Sequence, residues 1–213
     1  MGTPNELDLV TENKDLLRGP VLEIGSKDYG NTNIFGPVFK KMGMDYVGTD
    51  MEAGENVDVV CDFTSERETL AKQLGDRKFK TIISFCVFEH CKNPHKMAEN
   101  MDAFLEDGGT LFISVPFVWN IHAYPDDYWR FTPSMLTMLF PKYTLLEDRS
   151  CFTTKLHGER LPFGTDLDAI ARYSPTFIIG VLLRLHILRE KYPYALIPVN
   201  VNAILVKGEA GTK

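Results

Sequence analysis

Cysteine is scarce in this chain: Cys61, Cys86, Cys91 and Cys151 are the only four in 213 residues, and no two form a C-x-x-C pair. That spacing excludes a zinc ribbon and a disulfide framework, and the expectation is reduced thiols in a cytosol-like compartment. Basic charge is in deficit too, with 23 Lys and Arg against 29 Asp and Glu and a net charge of -6. A nucleic-acid backbone is thereby excluded as the main partner, because phosphate binding needs a concentrated basic surface; small or neutral substrates fit better. Long apolar runs are missing. The most apolar stretch, Phe177 to Leu188, is broken by Arg184 and His186 and is far shorter than the ~20 residues of a bilayer span. Met1 to Glu6 show no basic or apolar leader region, and Glu6 stands where a myristoylation signal takes Ser or Thr. A cytoplasmic protein is expected.

With 44% apolar and 24% charged residues, the chain has the composition of one globular domain with a substantial core. From Pro20 onward short apolar runs alternate with helix-like segments, the pattern of a parallel sheet covered on both faces. Strands are expected at Val21 to Ile24, Asp45 to Thr49, Val57 to Cys61, Thr81 to Cys86 and Thr110 to Val115, and two more at Tyr143 to Cys151 and Ala195 to Val206. Asn93-Pro94 and Thr132-Pro133 read as helix caps, and Asp107-Gly108-Gly109 as a helix stop. The fold class expected is α/β: a Rossmann-like, doubly wound, mostly parallel seven-stranded sheet with helices on both faces. Residues 1–19 form an N-terminal helix or arm, 20–152 the ligand-binding core, 153–194 a helical insertion or cap, and 195–207 the last strand. In the insertion, Ile178, Val181, Leu182, Leu185 and Leu188 form one helical stripe and Phe177, Ile179 and Leu183 a second apolar side. A helix over 176–190 would thus bury two faces: in the core, in a homodimer, or on a membrane surface approached through Arg172, Arg184, Arg189 and Lys191.

The segment Val21-Leu22-Glu23-Ile24-Gly25-Ser26-Lys27-Asp28-Tyr29-Gly30 is a short apolar strand, acidic near its end, running into a glycine turn. Such a turn builds a nucleotide site at the strand's carboxyl end. Two phosphate motifs nonetheless fail: Lys27 replaces the second glycine of G-x-G-x-x-G, and Asn31 replaces the Walker lysine. Asp28 would repel a pyrophosphate but tolerate a cationic ligand without phosphate, such as S-adenosylmethionine. Asp50, closing the second strand, suits the two hydroxyls of a ribose, or else caps a turn. Asp62 suits the exocyclic amine of adenine beside the Phe63 amide, or else forms an Asx-turn.

These residues resemble the class I S-adenosylmethionine-dependent methyltransferases, particularly the broad type-11 group, over about Pro20 to Phe140. Phe88-Glu89-His90 after the fourth strand looks like that family's Leu-Glu-His step, and Leu105-Glu106-Asp107-Gly108-Gly109-Thr110-Leu111 like its Leu-x-x-Gly-Gly-x-Leu run. The resemblance implies S-adenosylmethionine as cofactor, bound by Glu23, Gly25, Ser26, Gly30, Asp50, Met51, Asp62, Phe63, Ser84 and Phe85. Lys27 and Asp28 depart from the small residues usual in the first loop. A related group of quinone O-methyltransferases binds a divalent ion through Glu-x-x-Glu-His. Here Cys86 stands in the first glutamate's place, so only two ligands remain and no metal is expected. A first-turn acid favoured by a helix dipole is the plainer reading of Glu89.

Many type-11 enzymes carry a run similar to His122-Ala123-Tyr124-Pro125-Asp126-Asp127-Tyr128-Trp129-Arg130-Phe131-Thr132. It follows the fifth strand and should overhang the methyl donor. Imidazole is suited to taking a proton near neutrality, so His122 is the candidate general base, or else a structural hydrogen-bonding group. Tyr128, Trp129 and Arg130 are the candidate substrate-binding residues, although Asp127 and Arg130 at i, i+3 can simply pair. The function expected is methyl transfer to a small-molecule or glycan acceptor, at a hydroxyl by analogy with relatives that look like tailoring enzymes. The rivals are a non-catalytic donor-binding scaffold and a nicotinamide-dependent oxidoreductase.

Overall fold

The computed structural model describes residues 4–30, 35–122, 126–154, 160–165 and 198–209. Helix α1 (Pro4–Glu12) precedes β1 (Val21–Ile24), α2 (Gly36–Lys41), β2 (Tyr46–Asp50), β3 (Val59–Val60), α3 (Arg67–Leu74), β4 (Phe79–Phe85), α4 (Pro94–Phe104) and β5 (Leu105–Pro116). After α5 (Pro133–Leu139) come β6 (Tyr143–Leu145), β7 (Cys151–Thr154), β8 (Arg160–Pro162) and β9 (Pro198–Lys207).

The sheet runs β3-β2-β1-β4-β5-β9-β7-β8, with β6 also pairing β9. Strands β3, β2, β1, β4 and β5 are mutually parallel, whereas β9 is antiparallel to β5, β6 and β7. The order of the strands reverses at the β1–β4 pair, with β2 and β3 on one side and β5 on the other, so the crevice outside their carboxyl ends is the switch point where such sheets hold ligands. Alternation in the strands fills both faces. Leu22, Ile82, Leu111 and Ile113 face α3, α4 and α5, while Val21, Ile83 and Phe112 face α1 and α2. Both expected caps form: Asn93 accepts from the Lys96 amide at 3.1 Å and Thr132 Oγ1 from the Met135 amide at 3.2 Å.

The α/β fold is as expected, but the described residues form a 9-stranded sheet rather than a seven-stranded one. One reason lies in the run read as a single strand, Tyr143 to Cys151. β9 pairs Leu145 with Leu205 and Cys151 with Asn202, so more residues separate the first pair of positions than the second. The excess folds out as a turn, in which the Arg149 amide donates to Leu146 O and the Ser150 hydroxyl to the same oxygen. The other extra strand, β8, lies in the region read as a helical insertion. Asp107-Gly108-Gly109 is likewise not a helix stop. α4 ends at Phe104, and the two glycines lie within β5, where the register against β4 slips between Phe79 and Thr81. The helix expected over 176–190 lies outside the described residues. Among the described residues no helix is long and apolar enough to cross a membrane.

Inside β1, Glu23 is buried and accepts a hydrogen bond from the Tyr46 hydroxyl. Burial raises its carboxyl to about 7 from the usual 4.5. The folded state therefore holds this proton more tightly than the unfolded chain. The resulting contribution to stability is complete below about pH 4.5 and lost as pH rises through about 7. In denaturant titrations across that window, Glu23→Gln should flatten the decline in unfolding free energy seen for the native chain. An unchanged slope would place the titration elsewhere.

Candidate active site

At the carboxyl end of β1 the chain must turn sharply and leave room for its neighbour. Gly25 does both: its φ is +82°, and a Cβ there would lie 2.4 Å from Val87 Cγ2, in the loop that follows β4. Only glycine tolerates that combination without strain. The Gly25 and Ser26 amides both donate to Thr49 O, at 2.8 and 2.9 Å, and Ser26 Oγ donates to Asn56 O at 2.8 Å. The turn is thereby tied to the end of β2. Asp50 ends β2, with Oδ2 3.4 Å from the Lys27 amide and Oδ1 accepting from the Glu52 amide at 3.1 Å. Asp50 and the glycine turn therefore share one crevice. Lys27 turns its ammonium to Glu52 at 2.6 Å. Gly30, with φ +84°, donates its amide to Asp28 Oδ1 at 2.6 Å.

Asp62 lies beside Asp50, since the Cys61 amide donates to Asp50 O at 2.9 Å. Its Oδ1 accepts from both the amide and the hydroxyl of Thr64, at 2.8 and 2.7 Å, so the Asx-turn does form. Met51 is exposed, whereas the Phe63 and Phe85 side chains are buried and Phe85 packs on Phe35. Ser84 and Ser114 are fully buried with hydroxyl oxygens that have no hydrogen-bond partner. The close backbone approach at Gly25 and the Asp50 carboxylate across from it fit an adenosine-bearing donor. Asp50 would hold its ribose and the Gly25 turn its methionine part.

The loop after β5 is fastened to the 3₁₀ turn Phe88–His90 that follows β4. The Tyr128 amide donates to Glu89 O at 2.7 Å, Trp129 Nε1 to Cys91 O at 2.8 Å, and the Phe131 amide to Pro116 O at 3.0 Å. Arg130 is the clasp. Its guanidinium pairs with Asp127 and donates to Trp129 O, Asn120 O and Trp119 O. Those bonds tie its guanidinium to the loop's own backbone and to Asp127. Tyr128 and Trp129 remain part-exposed, with the Tyr128 hydroxyl on Asp126 Oδ2 at 2.8 Å.

Asp127 organises His122. Arg130 holds its carboxyl well below the usual carboxylate range. Its Oδ2 accepts from the His122 amide at 3.0 Å and lies 3.0 Å from His122 Nδ1, with Asn120 O a further 3.2 Å acceptor. Oxygen acceptors on that side assign the proton to Nδ1 and leave the lone pair on Nε2. His90 is set the same way, its Nδ1 at 2.7 Å from Asp126 O. Both Nε2 atoms face Glu89 Oε1, at 4.0 Å from His122 and 3.8 Å from His90. Glu89 is 1% exposed, and burial pushes its carboxyl up to about 8. The pattern of residues gave Asp127 only a partner in Arg130 and gave Val87 no role. The contact of Val87 with Gly25 joins segments far apart in the chain, and that of Asp127 with His122 follows from the path of a loop without a regular period, so no local pattern announces either.

The chain matches a family described as "Methyltransferase domain" over residues 7–151. No curated protein matches it. Among solved structures, a SAM-dependent methyltransferase from Archaeoglobus fulgidus superposes with a TM-score of 0.57 at 15% identity, covering 95% of this chain and 94% of that one. A 1,6-didemethyltoxoflavin-N1-methyltransferase from Burkholderia thailandensis, with that compound and S-adenosylhomocysteine bound, gives 0.56 at 14%, covering 97% and 77%. The fold is thus a class I methyltransferase fold. The chain belongs to the methyltransferase-domain family, as an enzyme whose cofactor is S-adenosylmethionine. The oxidoreductase and scaffold readings are set aside.

Gly25→Ala should lower affinity for S-adenosylhomocysteine at least tenfold by calorimetry and destabilise the fold by about 1–3 kcal/mol, from the forced φ and the Val87 contact. Adding Val87→Ala should recover part of both losses. Undiminished affinity in Gly25→Ala would show that the turn does not cradle the donor.

Proposed function

We propose that this methyltransferase acts on a hydroxyl group of a small-molecule or glycan acceptor, by in-line displacement, with His122 accepting the proton. The observation that carries this reading is the hydrogen bond of His122 Nδ1 to Asn120 O at 3.2 Å, beside the Asp127 carboxylate at 3.0 Å, which presents Nε2 as a proton acceptor. Arg130 keeps Asp127 ionised, so the imidazolium formed on proton uptake would be stabilised in place. The Burkholderia enzyme holds a small molecule together with the demethylated donor on the same fold, which supports a small acceptor. A cytoplasmic location and a donor-site role for the ten residues named from the sequence belong to the same reading.

When bound, the donor supplies a sulfonium whose methyl carbon is already activated for displacement. The chain's work is then alignment and proton removal. Asp50 fixes the ribose and the Gly25 turn the methionine part, Tyr128 and Trp129 line the acceptor side, and the pinned loop limits access of water. Alignment can contribute up to about 7–11 kcal/mol, whereas a positioned base contributes about 10²–10⁴ in rate. Losing Asp50 should therefore hurt more than losing His122.

Calorimetry with S-adenosylhomocysteine should show binding abolished in Asp50→Ala and intact in His122→Ala. With isotopically labelled donor and a metabolite pool, His122→Ala should slow transfer to oxygen acceptors by about 10²–10⁴. Normal donor affinity in Asp50→Ala would refute the cofactor assignment. An unslowed His122→Ala enzyme would refute the base.

A further inference from the structure

We propose that Glu89, His90 and His122 form a binding site for a divalent transition-metal ion, in a two-histidine, one-carboxylate arrangement. One ligand atom from each residue lies within 4.8 Å of the others. The sequence offered only Glu89 and His90; the third donor comes from the loop after β5, which the Arg130 clasp brings over the turn.

The argument rests on hydrogen-bonding arithmetic. Asp126 O and Asn120 O take the two Nδ1 protons, so both Nε2 atoms present lone pairs. Those lone pairs converge on Glu89, whose two carboxylate oxygens are buried with no hydrogen-bond partner, as is His90 Nε2. With Glu89 ionised, three acceptors face one another with no donor among them. A proton on Glu89 could serve only one imidazole, and 3.8 and 4.0 Å are too long for that bond. A single water offers two hydrogens to three acceptors. A cation satisfies all three at once.

Tetrahedral coordination at about 2.0–2.2 Å puts neighbouring donors roughly 3.3 Å apart, so closure onto an ion needs shifts of about 1 Å or less. His122, 25% exposed, offers the ion a way in. Imidazole and carboxylate donors suit zinc and its first-row neighbours better than magnesium or calcium. The backbone carbonyl and carboxylate behind the two rings are the outer partners that metal-bound histidines ordinarily have. Three protein donors leave a coordination position for water or a substrate oxygen. An ion and a proton would compete for the same lone pair on His122.

The test uses tag-free, full-length protein stripped with a chelator and titrated with Co²⁺. The expected result is one equivalent bound, with visible ligand-field bands of a low-coordinate ion that Zn²⁺ displaces. His122→Ala and Glu89→Gln should each weaken binding at least tenfold, while His95→Ala, at an exposed position on α4, should leave it unchanged. Circular dichroism verifies folding; His122 lies on a surface loop, so its variant serves if Glu89→Gln does not fold. No ligand-field bands, or undiminished affinity in folded His122→Ala, would overturn the site. Stripped protein that binds S-adenosylhomocysteine but no Co²⁺ would overturn it while sparing the methyl-transfer reading; Co²⁺ binding without S-adenosylhomocysteine binding would do the reverse.

Discussion

Contact between the turn after β1 and the loop after β4 is the constraint on which the site depends. Parallel pairing of β1 with β4 from Val21↔Thr81 to Ile24↔Ser84 brings the two carboxyl ends level. Gly25 then lies directly against Val87, with no space for a Cβ between them. From this single approach the two halves of the site follow. On one side the turn is laced to β2 and Asp50; on the other, two residues past Val87, stand Glu89 and His90. A bulkier residue at Gly25 would push the turn after β1 away from the loop after β4, although each could keep its own hydrogen bonds.

The second constraint is electrostatic. Asp127 has a buried carboxylate, tolerable because Arg130 pairs with it and the His122 amide donates to it, with the His122 ring close by. Removing one partner from such a pair typically costs about 3–5 kcal/mol, because the other charge is left buried and uncompensated. The same pair fixes the loop's path, since the remaining guanidinium donors hold the carbonyls of Trp119, Asn120 and Trp129. Fold stability, loop position and the tautomer of His122 are thus linked through one ion pair. Glu89 is the counterpoint: its carboxyl is as little exposed as that of Asp127, without a direct guanidinium pair of this kind, and burial raises it.

Features encoded by neighbouring residues were legible in the sequence. The glycine turn, the acid closing β2, the Asn93 and Thr132 caps and the parallel core all depend on spacing within a short window, and all appear where spacing put them. The alternatives for Asp62 and for Asp127 with Arg130 were readable too: the Asx-turn and the i, i+3 pair both form. What the sequence concealed depends on pairing at a distance. Whether Tyr143 to Cys151 is one strand or two is decided by the register of β9, and whether two glycines stop a helix or bulge a strand is decided by β4. The convergence of Glu89 with His90 and His122 is of the same kind, because burial of an acid is a property of what packs over it.

The most direct test of the central claim is a crystal structure of the protein with S-adenosylhomocysteine bound. The account requires the ribose hydroxyls on the Asp50 carboxylate, the amino-acid tail along the Gly25 turn, and the sulfur on the side of the crevice that opens toward His122. A ligand seated away from the β1–β4 switch point, or a sulfur facing away from the loop after β5, would contradict it.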